Sequence, residues 1–367
     1  VRLNVDLAGL VRSKIESEGP IAIKDFLTYV LKVQNEHFSP QAMTKEVLSG
    51  NMYRMESVLG SVIVDWCINL WEAHNKPKAL NIIEFCPRGG ILVLKTLEQI
   101  QNKVLSDAVH IYIVEPNLYF KTIQKQNLRK YLNKITWVES FEKIAIEDFS
   151  IIIANEFFSS LPIDQYTRRK GEWLVNMVDL TQDFQHFCIT HTEINDNMNQ
   201  YLESKYAHVP EGGIIELHDE ASILLKNIVE STKKFGGGSL LIDLGYIDHN
   251  KRDFLSTLQA GDNRCFSPIF YDLGNSLLSS QLNFSNLKKG IELYGGQVHG
   301  PITQSDFLSN MNIEQKRLNL LERLPSHKHS DVMTEYERLT CPKQFGNLFK
   351  TMSVCELLDE VAGFAGS

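Results

Sequence analysis

The chain reads as an α/β protein built on a mostly parallel, nucleotide-binding sheet, and three stretches predict it. Residues 80–92, Leu-Asn-Ile-Ile-Glu-Phe-Cys-Pro-Arg-Gly-Gly-Ile-Leu, form a short apolar strand with Glu84 near its end, then a small-residue turn that opens a helix. Such a turn brings backbone N–H groups close to a ligand, which suits Gly89 and Gly90. Residues 109–114 repeat the buried-strand pattern and close on Glu115, a carboxylate placed to accept both hydroxyls of a ribose. Residues 151–154 do so again and close on Asn155-Glu156-Phe157-Phe158. Three strand ends bearing polar groups therefore meet at one sheet edge.

The remaining elements follow in chain order. Residues 5–17 carry an amphipathic helix ended by Gly19-Pro20, and residues 22–35 a second with Phe26, Val30, Leu31 and Val33. Residues 55–73 are apolar nearly all round, which reads as a helix buried against the sheet. Helix and strand alternate from residue 80 to 156, with a helix over 91–106, and this alternation implies right-handed crossovers. Residues 166–180 place polar turn residues between two half-buried runs, a hairpin that 184–194 extends. A strand at 213–217 and a helix at 221–234, stopped by Gly236-Gly237-Gly238, lead into a buried strand at 240–243. Its terminal Asp243 suits a ligand crevice and a helix cap equally. Residues 254–272 are mixed. Helices follow at 286–293, from a cap at Thr303 or Ser305, at 314–324 and at 329–339, before a closing strand at 348–354. The expected organisation is an N-terminal helical region, 1–78, covering the site, and an α/β domain, 79–367, with an antiparallel insertion at about 163–212.

Composition narrows the function. At 367 residues, with 43% hydrophobic and 22% charged, the chain can bury a sizeable core. A net charge of −8 argues against nucleic acid, and no apolar run is long enough to insert in a membrane. The six cysteines are scattered without a ligand pair, and His327 and His329 point opposite ways, so no metal site is expected. The first residues lack the apolar core of a signal peptide and the arginines of a transit peptide; a leader trimmed before Val1 stays open.

With these residues in hand, the chain resembles the MidA family of class I S-adenosylmethionine-dependent methyltransferases, which includes the mitochondrial arginine methyltransferase needed for respiratory complex I assembly. The most specific piece is Asn155-Glu156-Phe157-Phe158-Ser159-Ser160-Leu161-Pro162-Ile163, similar to the family's Asn-Glu-Phe-Phe-Asp-Ala-Leu-Pro motif. Pro210-Glu211-Gly212, Leu241-Ile242-Asp243-Leu244-Gly245, Thr257-Leu258-Gln259-Ala260 and Gly300-Pro301-Ile302-Thr303-Gln304 match further along. The resemblance implies a Rossmann-like, seven-stranded sheet with S-adenosylmethionine over its first strands. Glu84, Cys86, Gly89 and Gly90 would face the donor's methionine part and Glu115 its ribose. Glu156 would be the catalytic carboxylate beside an acceptor arginine, with Asn155, Phe157 and Phe158 as substrate contacts. The partner implied is a protein, a respiratory complex I subunit or its bacterial counterpart, met in the mitochondrial matrix or the bacterial cytoplasm; oligomeric state is not implied.

The chain departs from the family at the site. Where the family's donor loop reads Glu-Leu-Gly-Pro-Gly-Arg-Gly-Thr-Leu, Cys86 and Arg88 replace the first two glycines, Gly89 the arginine and Ile91 the threonine. A Cβ at a position needing φ > 0 strains the turn, and the Arg88 side chain is long enough to fill donor volume. Near Gly50 the family's Gly-Asp-Phe-x-Thr-x-Pro-Glu segment is replaced by Gly-Asn-Met-Tyr-Arg-Met-Glu. Ser159 stands for an acidic residue and Asn283 for an aspartate. Two readings follow, an arginine methyltransferase and a catalytically reduced relative serving as a binding or assembly scaffold. A nicotinamide-dependent oxidoreductase is disfavoured, because no G-x-G-x-x-G opens the first helix.

Overall fold

The computed structural model describes residues 2–3, 5–39, 51–100, 108–247, 254–262, 265–270, 273, 277–356 and 358–364. Gly50, the far end of the helix expected over 91–106 and Asp272 lie outside them. The chain forms two compact units: Val1–Ala42, Ser159–Ile223 and Asp248–Gln281 make the first, and Met43–Phe158, Leu224–Ile247 and Leu282–Ser367 the second. The expected boundary at residue 78 falls inside the second unit.

The second unit holds the parallel sheet. Its strands are β1 (Leu80–Phe85), β2 (Val109–Val114), β3 (Ile135–Val138), β4 (Ser150–Asn155), β5 (Gly237–Tyr246), β6 (Val298–Thr303) and β7 (Phe349–Cys355). They lie in the order β6-β7-β5-β4-β1-β2-β3. The run from β5 to β3 is parallel throughout, and β7 is antiparallel to both β5 and β6. Leu282–Asn283 adds a two-residue parallel segment beside β5, making eight strands in all among the described residues.

Burial explains the strand sequences. All six residues of β1 and all seven of β7 are buried, as expected of strands covered on both faces. On one face lies the helix Asn51–Ala73, whose Val62, Ile63, Trp66 and Leu70 share a core with Ile82, Ile111, Ile151 and Ile153. Trp66 is wholly buried, so its truncation to alanine would cost about 3–5 kcal/mol. Gly236 ends the preceding helix at φ 79°, but Gly237 and Gly238 belong to β5 rather than to the expected helix stop. A Cβ on Gly237 would lie 1.9 Å from the Ser150 carbonyl oxygen, a close strand approach that demands glycine.

Strand order positions the site. The chain leaves β1 toward β2 and β3, then returns to place β4 on the other side of β1. Ligands of open α/β sheets bind outside the carboxyl ends of strands where the order reverses in this way. The β1–β4 register, Glu84 opposite Ile153, brings the loop at 86–90 and the segment at 155–158 to that same edge.

The first unit is built on antiparallel strands in the order Phe187–Glu193, Glu172–Leu180, Asp164–Arg169 and Ile214–Leu217, with Ile21–Ala22 added beside Glu172–Leu180. The hairpin expected at 166–180 and its extension are therefore present. The helices Leu7–Glu18 and Ile23–His37 bury Val11, Ile15, Phe26 and Val30 with Ile163 and Val178 of that unit. Among the described residues no helix is long and apolar enough to cross a membrane.

Candidate functional site

The loop after β1 is held in an unusual conformation. Cys86 and Arg88 stand at φ 45° and 49°, in the left-handed region where a Cβ costs about 1–2 kcal/mol per residue. Gly90 has φ 76°, and a Cβ there would sit 3.1 Å from Leu128 Cδ1, so both conformation and space favour glycine. The Cys86 N–H donates to the Val114 carbonyl at 2.9 Å, and the Arg88 N–H to the Cys86 carbonyl at 2.7 Å. Burial and the neighbouring Glu115 carboxylate push the Cys86 thiol well above its ordinary range, against the opposing pull of Arg88.

A second set of contacts ties this loop to the end of β2. The helix Leu118–Asn127 starts on Asn117, whose Oδ1 accepts from the N–H groups of Tyr119 and Phe120. Gln124 of that helix is wholly buried. Its Nε2 donates to Glu115 Oε2 and to the Arg88 carbonyl, both at 2.9 Å, and its Oε1 accepts from the Trp137 indole at 3.0 Å. The Asn127 amide donates to the Gly89 carbonyl at 2.9 Å. Glu115 itself is 2% exposed, and its other oxygen accepts from the Asn117 N–H at 2.9 Å. Burial pushes its carboxyl up to about 7, outweighing those hydrogen bonds and the charge of Lys121.

The end of β4 differs. Glu156 sits at φ 55°, with its N–H donating to the Ile242 carbonyl of β5 at 2.9 Å. Its Oε2 lies 3.1 Å from Arg88 Nη2, and the two side chains are 19% and 31% exposed. Phe157 stacks on Phe85 of β1 with ring centroids 4.6 Å apart. Phe158 is wholly buried and packs edge-on against Phe157, and Asn155, half-buried, pairs with Ile242.

Thus Glu84, Cys86, Gly89, Gly90 and Glu115 gather at the ends of β1 and β2, Asn155 to Phe158 lie at the end of β4, and Arg88 spans the two groups. Glu84 is interior, at 5% exposure. Sequence reading missed Asn117, Gln124, Asn127 and Trp137. Asn117 carried a usable signal, a capping residue between Pro116 and an apolar residue. Gln124 carried none, because it is the buried residue of a helix without an apolar stripe.

Among curated proteins the chain is similar to Protein arginine methyltransferase NDUFAF7, mitochondrial, of Danio rerio, at 26% identity over 96% of this chain and 87% of that protein. The human protein of the same name is 23% identical over 92% of this chain and 80% of its own length. Among solved structures, a native crystal structure from Burkholderia thailandensis has a TM-score of 0.80 at 16% identity, covering 98% of this chain and 94% of that one. A second crystal structure from that organism, bound to S-adenosyl-homocysteine, has a TM-score of 0.77 at 16% identity, over 98% and 95%. At such identities the likeness is one of fold. A family profile described as "Putative S-adenosyl-L-methionine-dependent methyltransferase" matches residues 62–302, well over half of the sequence, and the chain belongs to this methyltransferase family.

Proposed function

We propose that this chain is a protein arginine methyltransferase, as its curated relatives are named, and that Glu156 holds the acceptor's guanidinium. The observation that carries the reading is the contact Glu156 already makes with a guanidinium, that of Arg88 at 3.1 Å. A strand-end carboxylate held by backbone bonding and only partly exposed is a preorganised partner for arginine, whose planar fork matches it. Its work would be to bind the side chain and orient the attacking nitrogen, since positioning and electrostatics suffice when the leaving group is good. The acceptor would be a protein; the resemblance extends this to a respiratory complex I subunit in the mitochondrial matrix, or a counterpart in a bacterial cytoplasm.

S-adenosylmethionine, the donor of the family, supplies the methyl group when bound. The loop that the resemblance sets beside it departs from the family's at two glycine positions. Glu115 accepts one hydrogen bond at each oxygen, from Asn117 and Gln124, which leaves lone pairs for ribose hydroxyls, whereas the two loop positions that the resemblance sets beside the donor carry the Cys86 and Arg88 side chains at positive φ. This favours a second reading, in which the chain keeps the fold and the guanidinium seat as a scaffold that binds a partner's arginine without modifying it.

Calorimetric titration with S-adenosylmethionine and, separately, S-adenosylhomocysteine decides between them. The methyltransferase reading expects micromolar binding. A folded protein that binds neither ligand at millimolar concentration would leave the scaffold.

A further inference from the structure

We infer that Arg88 is a resident occupant of the acceptor seat, an internal guanidinium that an incoming arginine side chain must displace from Glu156. This rests on the reading of Glu156 as the carboxylate that receives the acceptor. Arg88 presents the same chemical group as the proposed acceptor, to the same carboxylate, over a hydrogen-bonding distance of 3.1 Å.

The backbone beneath it is pinned. The Arg88 N–H is bound to the Cys86 carbonyl, its own carbonyl to Gln124, and the next carbonyl to Asn127. Vacating the seat therefore requires rotation of the Arg88 side chain and not movement of the loop. At 31% and 19% exposure the pair is within reach of solvent and of a competing cation, which a sealed ion pair would not be. Arg88 already holds one Glu156 oxygen at 3.1 Å, so an incoming arginine that takes both oxygens with its fork must displace it.

Arg88 thereby sets what enters. A lysine ammonium lacks the planar fork that engages both carboxylate oxygens at once, and free arginine gains nothing to offset displacing a tethered group. An arginine presented by a protein surface, with further contacts of its own, is the ligand class that succeeds.

The test titrates the full chain with methylguanidinium. Arg88→Gly and Arg88→Asn should each bind it about tenfold more tightly than the unchanged chain, because a competent seat populated only part of the time weakens apparent affinity by that fraction. Asparagine keeps a Cβ yet tolerates the left-handed region, so a gain in both variants assigns the effect to the vacated seat and not to a relaxed backbone. Adding Glu156→Gln to either variant should abolish the gain. Equal affinity in the unchanged chain and the Arg88 variants, with loss on Glu156→Gln, would keep the seat and overturn the occupant. A gain confined to Arg88→Gly would do the same. Binding that survives Glu156→Gln, or no binding in any variant, would overturn the reading of Glu156 and the inference with it.

Discussion

Two carboxylates end neighbouring parts of one sheet, and their surroundings are opposite. Glu115, beyond β2, is 2% exposed and spends its oxygens on Asn117 and Gln124. Glu156, beyond β4, is partly exposed and faces the Arg88 side chain, itself 31% exposed. The first is wired into the fold, so perturbing it should register as stability. The second is paired with a cation within reach of solvent, so perturbing it should register as recognition. A strand-end carboxylate is thus a candidate for both kinds of role, and its partners decide between them.

The largest effect expected is on the wired side. Gln124→Met keeps the side-chain length but removes the donor to Glu115, the donor to the Arg88 carbonyl and the acceptor of the Trp137 indole. Leaving such buried groups without these partners should cost about 3–5 kcal/mol in chemical denaturation. A loss below about 1 kcal/mol would mean that the network is dispensable and the contrast false.

The next is a pH dependence. Glu115 is pushed from an ordinary value of 4.5 up to about 7, so the folded protein holds a proton that the unfolded chain releases in that interval. Its contribution to stability is full below about pH 4.5 and is lost as pH rises through about 7, a fall of about 3 kcal/mol. Thermal unfolding from pH 4.5 to 8 should show that fall in the unchanged chain and a flatter profile in Glu115→Gln. Parallel profiles would place the titrating group elsewhere.

On the recognition side, Glu156→Gln should barely alter stability, since partly exposed ion pairs contribute about 1 kcal/mol or less. Acceptor methylation, or partner binding under the scaffold reading, should nevertheless fall about 100-fold, as when one member of a desolvated charge pair is removed from an interface. Donor affinity should stay unchanged. A variant that unfolds readily, or that loses only the donor, would erase the distinction between the two carboxylates.

How much of this was legible in the sequence follows from the same physics. Strands β1, β2, β4, β5 and β7 could be read because burial writes apolar runs. Strand β3 could not: it lies at the sheet edge and of its four residues buries only Ile135. Strand β6 is interrupted by Gly300-Pro301, with a register shift between His299 and Ile302. At the site, residue type at strand ends was enough to single out Glu84, Glu115 and Glu156. The partners were not legible, because a glutamine on a polar helix and an arginine 68 residues before its glutamate gain meaning only when β1 and β4 lie side by side.

The smallest effect probes the strain between the two regions. Cys86 at φ 45° carries a left-handed cost of about 1–2 kcal/mol, which glycine escapes. Glycine also loses about 0.5–1 kcal/mol more conformational entropy on folding. The difference leaves Cys86→Gly more stable than the unchanged chain by about 1.5 kcal/mol at most. Cys86→Ala, which keeps the Cβ, should show no such gain, so comparing the two in denaturant unfolding separates backbone strain from the loss of the thiol. A gain in both would point to the thiol instead, which burial, with the Glu115 carboxylate beside it, holds in its neutral form. If neither gains, the loop carries no strain worth relieving, and the side chains at 86 and 88 are tolerated because the contacts from Gln124 and Asn127 fix the turn regardless of residue type.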